Sequence, residues 1–176
     1  MNKIILLCGE SGSGKTTIAQ MLEESYNLKI LESYTTRPRR KENEIGHIFL
    51  TDEQFGEIKV EDIAAYTEFD GHKYCATQQQ VEESDVYIVD KTGIETFKNC
   101  YKGNKKPIVL YIKTQEENRK KRMLERGDSL EKIEKRLEND RNAFKDIELI
   151  ADYVINNDSK DLISLIRKIW LIYINQ

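Results

Sequence analysis

Three apolar runs mark out the interior of this chain: Ile4-Ile5-Leu6-Leu7-Cys8, Val86-Tyr87-Ile88-Val89 and Pro107-Ile108-Val109-Leu110-Tyr111-Ile112. They run continuously rather than alternating with polar residues, which is the pattern of strands covered on both faces. Tyr153-Val154-Ile155-Asn156-Asn157 closes the series as a further strand, and Leu28-Lys29-Ile30-Leu31 predicts a short one. Helical spacing fills the intervals, in Thr17-Ile18-Ala19-Gln20-Met21-Leu22, over residues 93–101, and from Glu116 to Arg126. A second helix, broken from the last at Gly127 and opened by Asp128-Ser129, is predicted to run to Ile150, and residues 159–174 form a terminal amphipathic helix. Strands alternating with helices predict an α/β protein, three layers deep, with a parallel core sheet.

The middle of the chain breaks this rhythm. Ser33 to Lys41 is polar and densely basic, and Pro38 favours an extended or turning backbone there. Ile48-Phe49-Leu50 predicts a short strand, and Thr51 caps a helix starting behind it. Residues 63–77 predict a hairpin turning at Asp70-Gly71, and Gln78 to Glu83 a short helix.

The chemistry centres on Gly9-Glu10-Ser11-Gly12-Ser13-Gly14-Lys15-Thr16. A strand before it and a helix after it make this a phosphate-binding P-loop. The glycines let successive backbone N–H groups curl around a phosphate chain, and the helix N-terminus adds partial positive charge. Lys15 is placed to reach the β- and γ-phosphates, and the Thr16 hydroxyl to hold Mg²⁺. Thr17 follows them into the helix and belongs to the same ATP-binding set. The run ending in Asp90 has two readings: an acid beside Mg²⁺, which a P-loop chain favours, or a turn or cap residue. The basic stretch has three: a nucleic-acid or targeting patch, a solvated loop, or a phosphate clamp. Guanidinium forks grip phosphate oxygens in pairs, so the P-loop favours the clamp.

Composition narrows the classes. With 176 residues the chain suits one domain, and its formal net charge of −3 argues against a general nucleic-acid or membrane-surface binder. Cys8, Cys75 and Cys100 sit at no metal-ligand or redox spacing, which predicts reduced thiols and a cytoplasmic protein. No window approaches a membrane span. A regulatory GTPase wants an Asn-Lys-x-Asp guanine reader, and the sequence has none.

Taken together, the P-loop, Ser33-x-Thr35-Thr36-Arg37 with further arginines, Gly46, Phe49 and Phe55 closely resemble the guanylate kinase family. The match continues through Tyr74, Asp90, Gly93, Arg122-x-x-x-Arg126-Gly127, Lys135-Arg136-Leu137 and Val154-Ile155-Asn156-Asn157, covering nearly the whole chain. The resemblance implies an ATP-dependent nucleoside monophosphate kinase, with GMP or dGMP the default acceptor and Mg²⁺ accompanying ATP. It implies a core (1–32, 85–118, 142–176), an acceptor-binding insertion (33–84) and a lid (119–141). It assigns Arg37, Arg40 and the Tyr74 hydroxyl to the acceptor phosphate, Ser33 and Thr77 to the acceptor pocket, and Asn156 to the adenine of ATP. Lys15, Arg126 and Arg136 become the catalytic cations, with Arg122 beside ATP, Arg141 of lower rank, and Thr16 with Asp90 on the metal. The implied partners are small nucleotides, with no nucleic acid and no membrane, and the assembly a monomer or homodimer.

The guanine pocket departs from the family. Ala65 stands where the family has a glutamate, and Ala76 where it has a hydroxyl. An aspartate beyond the Asp90 position is replaced by Lys91 or Thr92, and His47 stands in for a tyrosine. Glu68 restores the carboxylate only if the strand register shifts by one, because a single-residue slip turns a side chain to the other face. Both histidines, His47 and His72, read as ordinary surface residues. Another acceptor base, or a non-catalytic binding module of the same family, remain the alternatives.

Overall fold

The computed structural model describes residues 2–39, 42, 44, 46–159 and 161–176. Arg40, assigned above to the acceptor phosphate, lies outside the described residues. In chain order, β1 (Lys3–Cys8) leads through the P-loop into α1 (Lys15–Tyr26), then β2 (Ser33–Thr35), β3 (His47–Phe49) and α2 (Asp52–Gly56). The hairpin β4 (Ile63–Phe69) and β5 (His72–Thr77) follows, then α3 (Gln78–Glu82), β6 (Val86–Ile88) and α4 (Lys91–Cys100). The chain ends with β7 (Lys106–Lys113), α5 (Glu116–Glu125), α6 (Leu130–Ala143), β8 (Tyr153–Asn156) and α7 (Leu162–Asn175).

Among the described residues, the apolar runs pair into a parallel sheet of order β6-β1-β7-β8. Alternate residues of β1 supply its two faces. Ile5 and Leu7 pack with Ile18 and Leu22 of α1 and Ile166 and Ile169 of α7, while Ile4 and Leu6 pack with Ile94 and Phe97 of α4. Both sides are therefore dry, as the unbroken apolar runs require. β8 is the exception, an edge strand on which Val154 is exposed.

A second sheet, order β3-β2-β5-β4, forms from the interrupted middle of the chain. Its hairpin turns at Asp70-Gly71, both at positive φ, and pairs Ala65 with Ala76 and Glu68 with Lys73. In that register Glu68 faces outward, where the Tyr66 hydroxyl donates to it, so no slip delivers it to the pocket. Thr51 and Thr77 each close a capping box on the helix that follows, accepting from the backbone N–H of Gln54 and Gln80.

Two element boundaries differ from expectation. Leu28–Leu31 makes only a bridge, Ile30 to Val86, before the chain leaves for the second sheet at Ser33. The helix expected to reach Ile150 stops at Ala143; Asp146 takes a left-handed backbone at φ 62, and a 3₁₀ turn over Ile147–Leu149 follows. A left-handed residue cannot continue an α-helix, so Phe144 ends on the sheet face beside Tyr111 instead.

Candidate active site

The P-loop bridges β1 and α1, and its glycines are under tight constraint. Gly14 caps α1 at φ 95, and a Cβ on Gly12 would lie 2.7 Å from the Arg119 carbonyl, so the loop can form only with glycine there. The loop is held from behind. Ser13 O accepts from Asn157 Nδ2 (2.8 Å), Arg122 Nη1 (3.3 Å) and Thr114 Oγ1 (3.3 Å), and Arg122 Nη2 also donates to Asn157 O at 2.7 Å. Arg122 thus braces the loop carbonyls. Lys15 Nζ donates to Gly9 O (2.6 Å) and Glu10 O (3.0 Å), so the loop's own carbonyls hold the ammonium. Burial pushes its pKa below the ordinary lysine value, against the pull of Asp140. Thr16 and Thr17 are exposed on the first turn of α1.

Ser11 is gripped from both sides. Its N–H donates to Asp140 Oδ2 at 2.8 Å, and its carbonyl accepts from Arg119 Nη1 at 3.4 Å. Arg119 and Asp140 pair with each other at 3.2 Å, with side chains only 5% and 3% exposed. Burial raises the Asp140 pKa, opposed by Ser11, Lys15 and Arg119. A carboxylate from α6 therefore sits on a backbone amide of the P-loop. The signal for both residues is visible in hindsight. Asp140 falls on the buried face of α6 with Ile133 and Leu137, and Arg119 on that of α5 with Met123, where an uncharged residue belongs.

Facing the loop is a cavity of about 180 Å³ that Lys15 and Ser11 share with Ser33, Thr67, Tyr74 and Asp90. Asp90 is the N-cap of α4: Oδ1 accepts from Gly93 N–H at 2.7 Å and Oδ2 from the Thr67 hydroxyl at 2.9 Å. These are the contacts of the cap reading, and they turn the carboxylate toward the second sheet. Burial raises its pKa, and the two hydrogen bonds oppose the rise. Ser33 Oγ lies 2.9 Å from His47 Nδ1, so His47 belongs to the pocket wall and is not an ordinary surface residue.

The remaining predicted residues divide. Arg37 is buried and forms a two-pronged ion pair with Glu44, at 2.7 and 3.3 Å, with its guanidinium over the Phe49 ring. Thr77 does not reach the pocket, because its hydroxyl is taken up by the α3 cap. Asn156 accepts from Asp158 N–H, on the exposed end of β8. Arg126 pairs with Asp128, and Arg136 is partly buried on α6. Arg141 pairs with Glu116 on the surface. Lys135 of α6 reaches Asp70 at the hairpin turn at 2.9 Å, an exposed ion pair between the two regions. Among the described residues, no helix is long and apolar enough to cross a membrane, and no cluster of His, Cys, Asp and Glu forms a metal cage.

The family model described as guanylate kinase matches residues 1–168. A guanylate kinase of Fusobacterium nucleatum is 30% identical over 184 aligned positions, covering 95% of this chain and 97% of that protein. One from Porphyromonas gingivalis is 27% identical, covering 96% of both. The crystal structure of guanylate kinase from Anaplasma phagocytophilum superposes with a TM-score of 0.71 at 22% identity, over 98% of this chain and 85% of that one, a likeness of fold. A P-loop sharing a pocket with residues of a second sheet, in a chain matched nearly end to end, places this protein in the guanylate kinase family.

Proposed function

We propose that the chain transfers the γ-phosphoryl group of ATP to GMP, giving ADP and GDP. One observation carries the reading: the P-loop lysine, the second-sheet residues Ser33, Thr67 and Tyr74, and the α4 cap residue Asp90 line one cavity, so donor and acceptor meet there. An oxygen of the GMP phosphate attacks the γ-phosphorus, and the bond from that phosphorus to the β-bridging oxygen breaks. The attacking oxygen is already anionic, so the protein's task is to gather the two polyanions and neutralise charge. Lys15 and the loop amides hold the donor; Arg37, Arg40 and the Tyr74 hydroxyl hold the acceptor phosphate. Arg37 exchanges the Glu44 carboxylate for phosphate oxygens, a like-for-like swap of a bidentate partner. Arg126 and Arg136 supply charge to the group in transfer, Arg122 steadies the loop carrying ATP, and Asn156 lies beside the adenine. Closure of this region excludes water, which would otherwise turn the kinase into an ATPase.

Mg²⁺ suits the donor set: Thr16 offers an exposed hydroxyl, and Mg²⁺ takes most of its remaining ligands from phosphate oxygens and water. Bound there, it neutralises the phosphate chain. Asp90 is better suited to the base. Guanine presents adjacent N–H donors at N1 and N2, and Asp90 is the carboxylate that the second-sheet side of the cavity offers. It fills the need left by Ala65.

The decisive experiment is a coupled ADP-release assay with ATP and Mg²⁺ against GMP, dGMP, AMP, CMP, UMP and dTMP. Turnover with the guanine nucleotides is expected; a preference for another base overturns the assignment of GMP, and silence across the panel with ATP still bound favours a binding module. Within the same assay, Asp90→Asn is expected to raise KM for GMP about 10- to 100-fold, the range for losing a charged hydrogen-bond partner. Asparagine caps a helix as well as aspartate does, so the melting temperature should stay near wild type. An unchanged KM removes Asp90 from the base site.

A further inference from the structure

Ser33 and His47 are register partners on β2 and β3, and their side chains meet in the acceptor cavity at 2.9 Å. Ser33 is 3% exposed and so has little access to water to satisfy its hydroxyl. The His47 ring is fixed edge-on to Phe49 and Tyr74, with centroids 6.0 and 5.7 Å away. It cannot swing off Ser33 without breaking those contacts. Phe49 in turn carries the Arg37 and Arg39 guanidinium groups, so the ring joins the phosphate end of the pocket to its base end.

A hydroxyl has one proton to give and lone pairs to receive, while Nδ1 of an imidazole either carries a proton or accepts one. The two states present opposite faces to a ligand. With a bare Nδ1, the Ser33 proton points at the ring and the cavity sees only lone pairs. With Nδ1–H donating to Ser33 Oγ, the Ser33 proton is released toward the cavity, where it meets a carbonyl on the base and repels nothing but an amino group. We propose that His47 is a positioning residue of this second kind: it donates through Nδ1 to Ser33 and so turns the serine hydroxyl into a donor for the carbonyl edge of the acceptor base. Resting on the assignment of GMP as acceptor, this adds a second base-reading element to the Asp90 carboxylate. Together they offer a donor for O6 and an acceptor for N1–H and N2–H, a pattern that adenine, with an amino group at C6, does not match.

The test is initial-rate kinetics on the full chain with GMP and AMP, for wild type, Ser33→Ala, His47→Ala, His47→Asn and the Ser33→Ala/His47→Ala double variant, with a thermal melt of each. His47→Ala is expected to raise KM for GMP several-fold to about tenfold, the range for one neutral hydrogen bond, with kcat and KM for ATP unchanged. The GMP-over-AMP preference should narrow by the same factor. His47→Asn, whose amide N–H stands near the position of Nδ1, should restore most of the loss. The double variant should be no worse than Ser33→Ala alone, because His47 acts through Ser33. An unchanged KM in His47→Ala, equal losses in the alanine and asparagine variants with normal melts, or additive losses in the double variant each overturn the proposal. A wild-type chain inactive on every monophosphate overturns the kinase assignment and this proposal together. A wild type active on GMP with an indifferent His47→Ala variant overturns this proposal alone.

Discussion

Lys15→Ala is expected to lower kcat for phosphoryl transfer by about 10²–10³-fold, the range seen when one preorganised electrostatic donor is removed from a transition state. The ammonium is already partly desolvated: it is hydrogen-bonded to the Gly9 and Glu10 carbonyls, and burial holds its pKa below the ordinary lysine range. Taking it out of water has been done in folding rather than at the moment of reaction, so its field acts on the γ-phosphate without reorganisation of solvent. A charge so placed contributes little to the stability of the empty protein, because desolvation opposes the ionised form. The variant should therefore melt close to wild type while losing turnover, and KM for GMP should change little, since the acceptor is held from the second sheet. Steady-state ADP release with saturating GMP measures this directly. A kcat within a few-fold of wild type would remove Lys15 from the chemistry and revive the binding module, which needs no such cation.

Much of this was legible in the chain because the information is local. Short continuous apolar runs bounded by turn signals read as strands covered on both sides, and Gly-x-x-x-x-Gly-Lys-Thr between strand and helix has one common use. The cap at Thr51 follows from a hydroxyl with Gln three residues on; Thr77 makes the same cap, where the family resemblance assigns that hydroxyl to the acceptor pocket. A side chain committed to its own backbone is not available to a ligand, and sequence alone does not say which demand prevails. What stayed hidden depends on contacts across the fold. Asp140 is 129 positions from Ser11, and no spacing rule connects a carboxylate in a charged helix to a loop amide that far away. His47 read as surface because nothing in its neighbourhood shows that β3 pairs with β2 and points the ring at Ser33. Asp90 was read toward the metal because strand ends in P-loop proteins face the phosphates; the two residues from the strand end at Ile88 to the helix cap turn it to Thr67 on the second sheet.

The hidden pair is where the largest loss of stability is expected. Asp140→Ala leaves the Arg119 guanidinium buried with its nearest other carboxylates, Glu10 and Glu116, each 3.9 Å away. Arg119 Nε already lacks a partner among the described residues, so the side chain has no reserve of hydrogen bonds. Removing one member of a buried ion pair typically costs about 3–5 kcal/mol, because the survivor keeps its desolvation penalty without its compensation. For a chain of this size that is a fall in melting temperature of roughly 6–20 °C. The Ser11 amide loses its acceptor as well and a carboxylate leaves the loop, so ATP should bind the variant more tightly and recover more stability there than in wild type. Two companion variants separate charge from packing. Asp140→Leu with Arg119→Met replaces both charges by apolar groups of similar bulk and should melt well above Asp140→Ala, since no uncompensated charge remains. Arg141→Ala, which breaks only the exposed pair to Glu116 on the same two helices, should melt like wild type. Thermal melts of the three variants with and without ATP give the answer. If Asp140→Ala melts within a degree or two of wild type, the buried pair contributes nothing to holding α5 and α6 against the P-loop, and the grip on Ser11 is incidental to the fold.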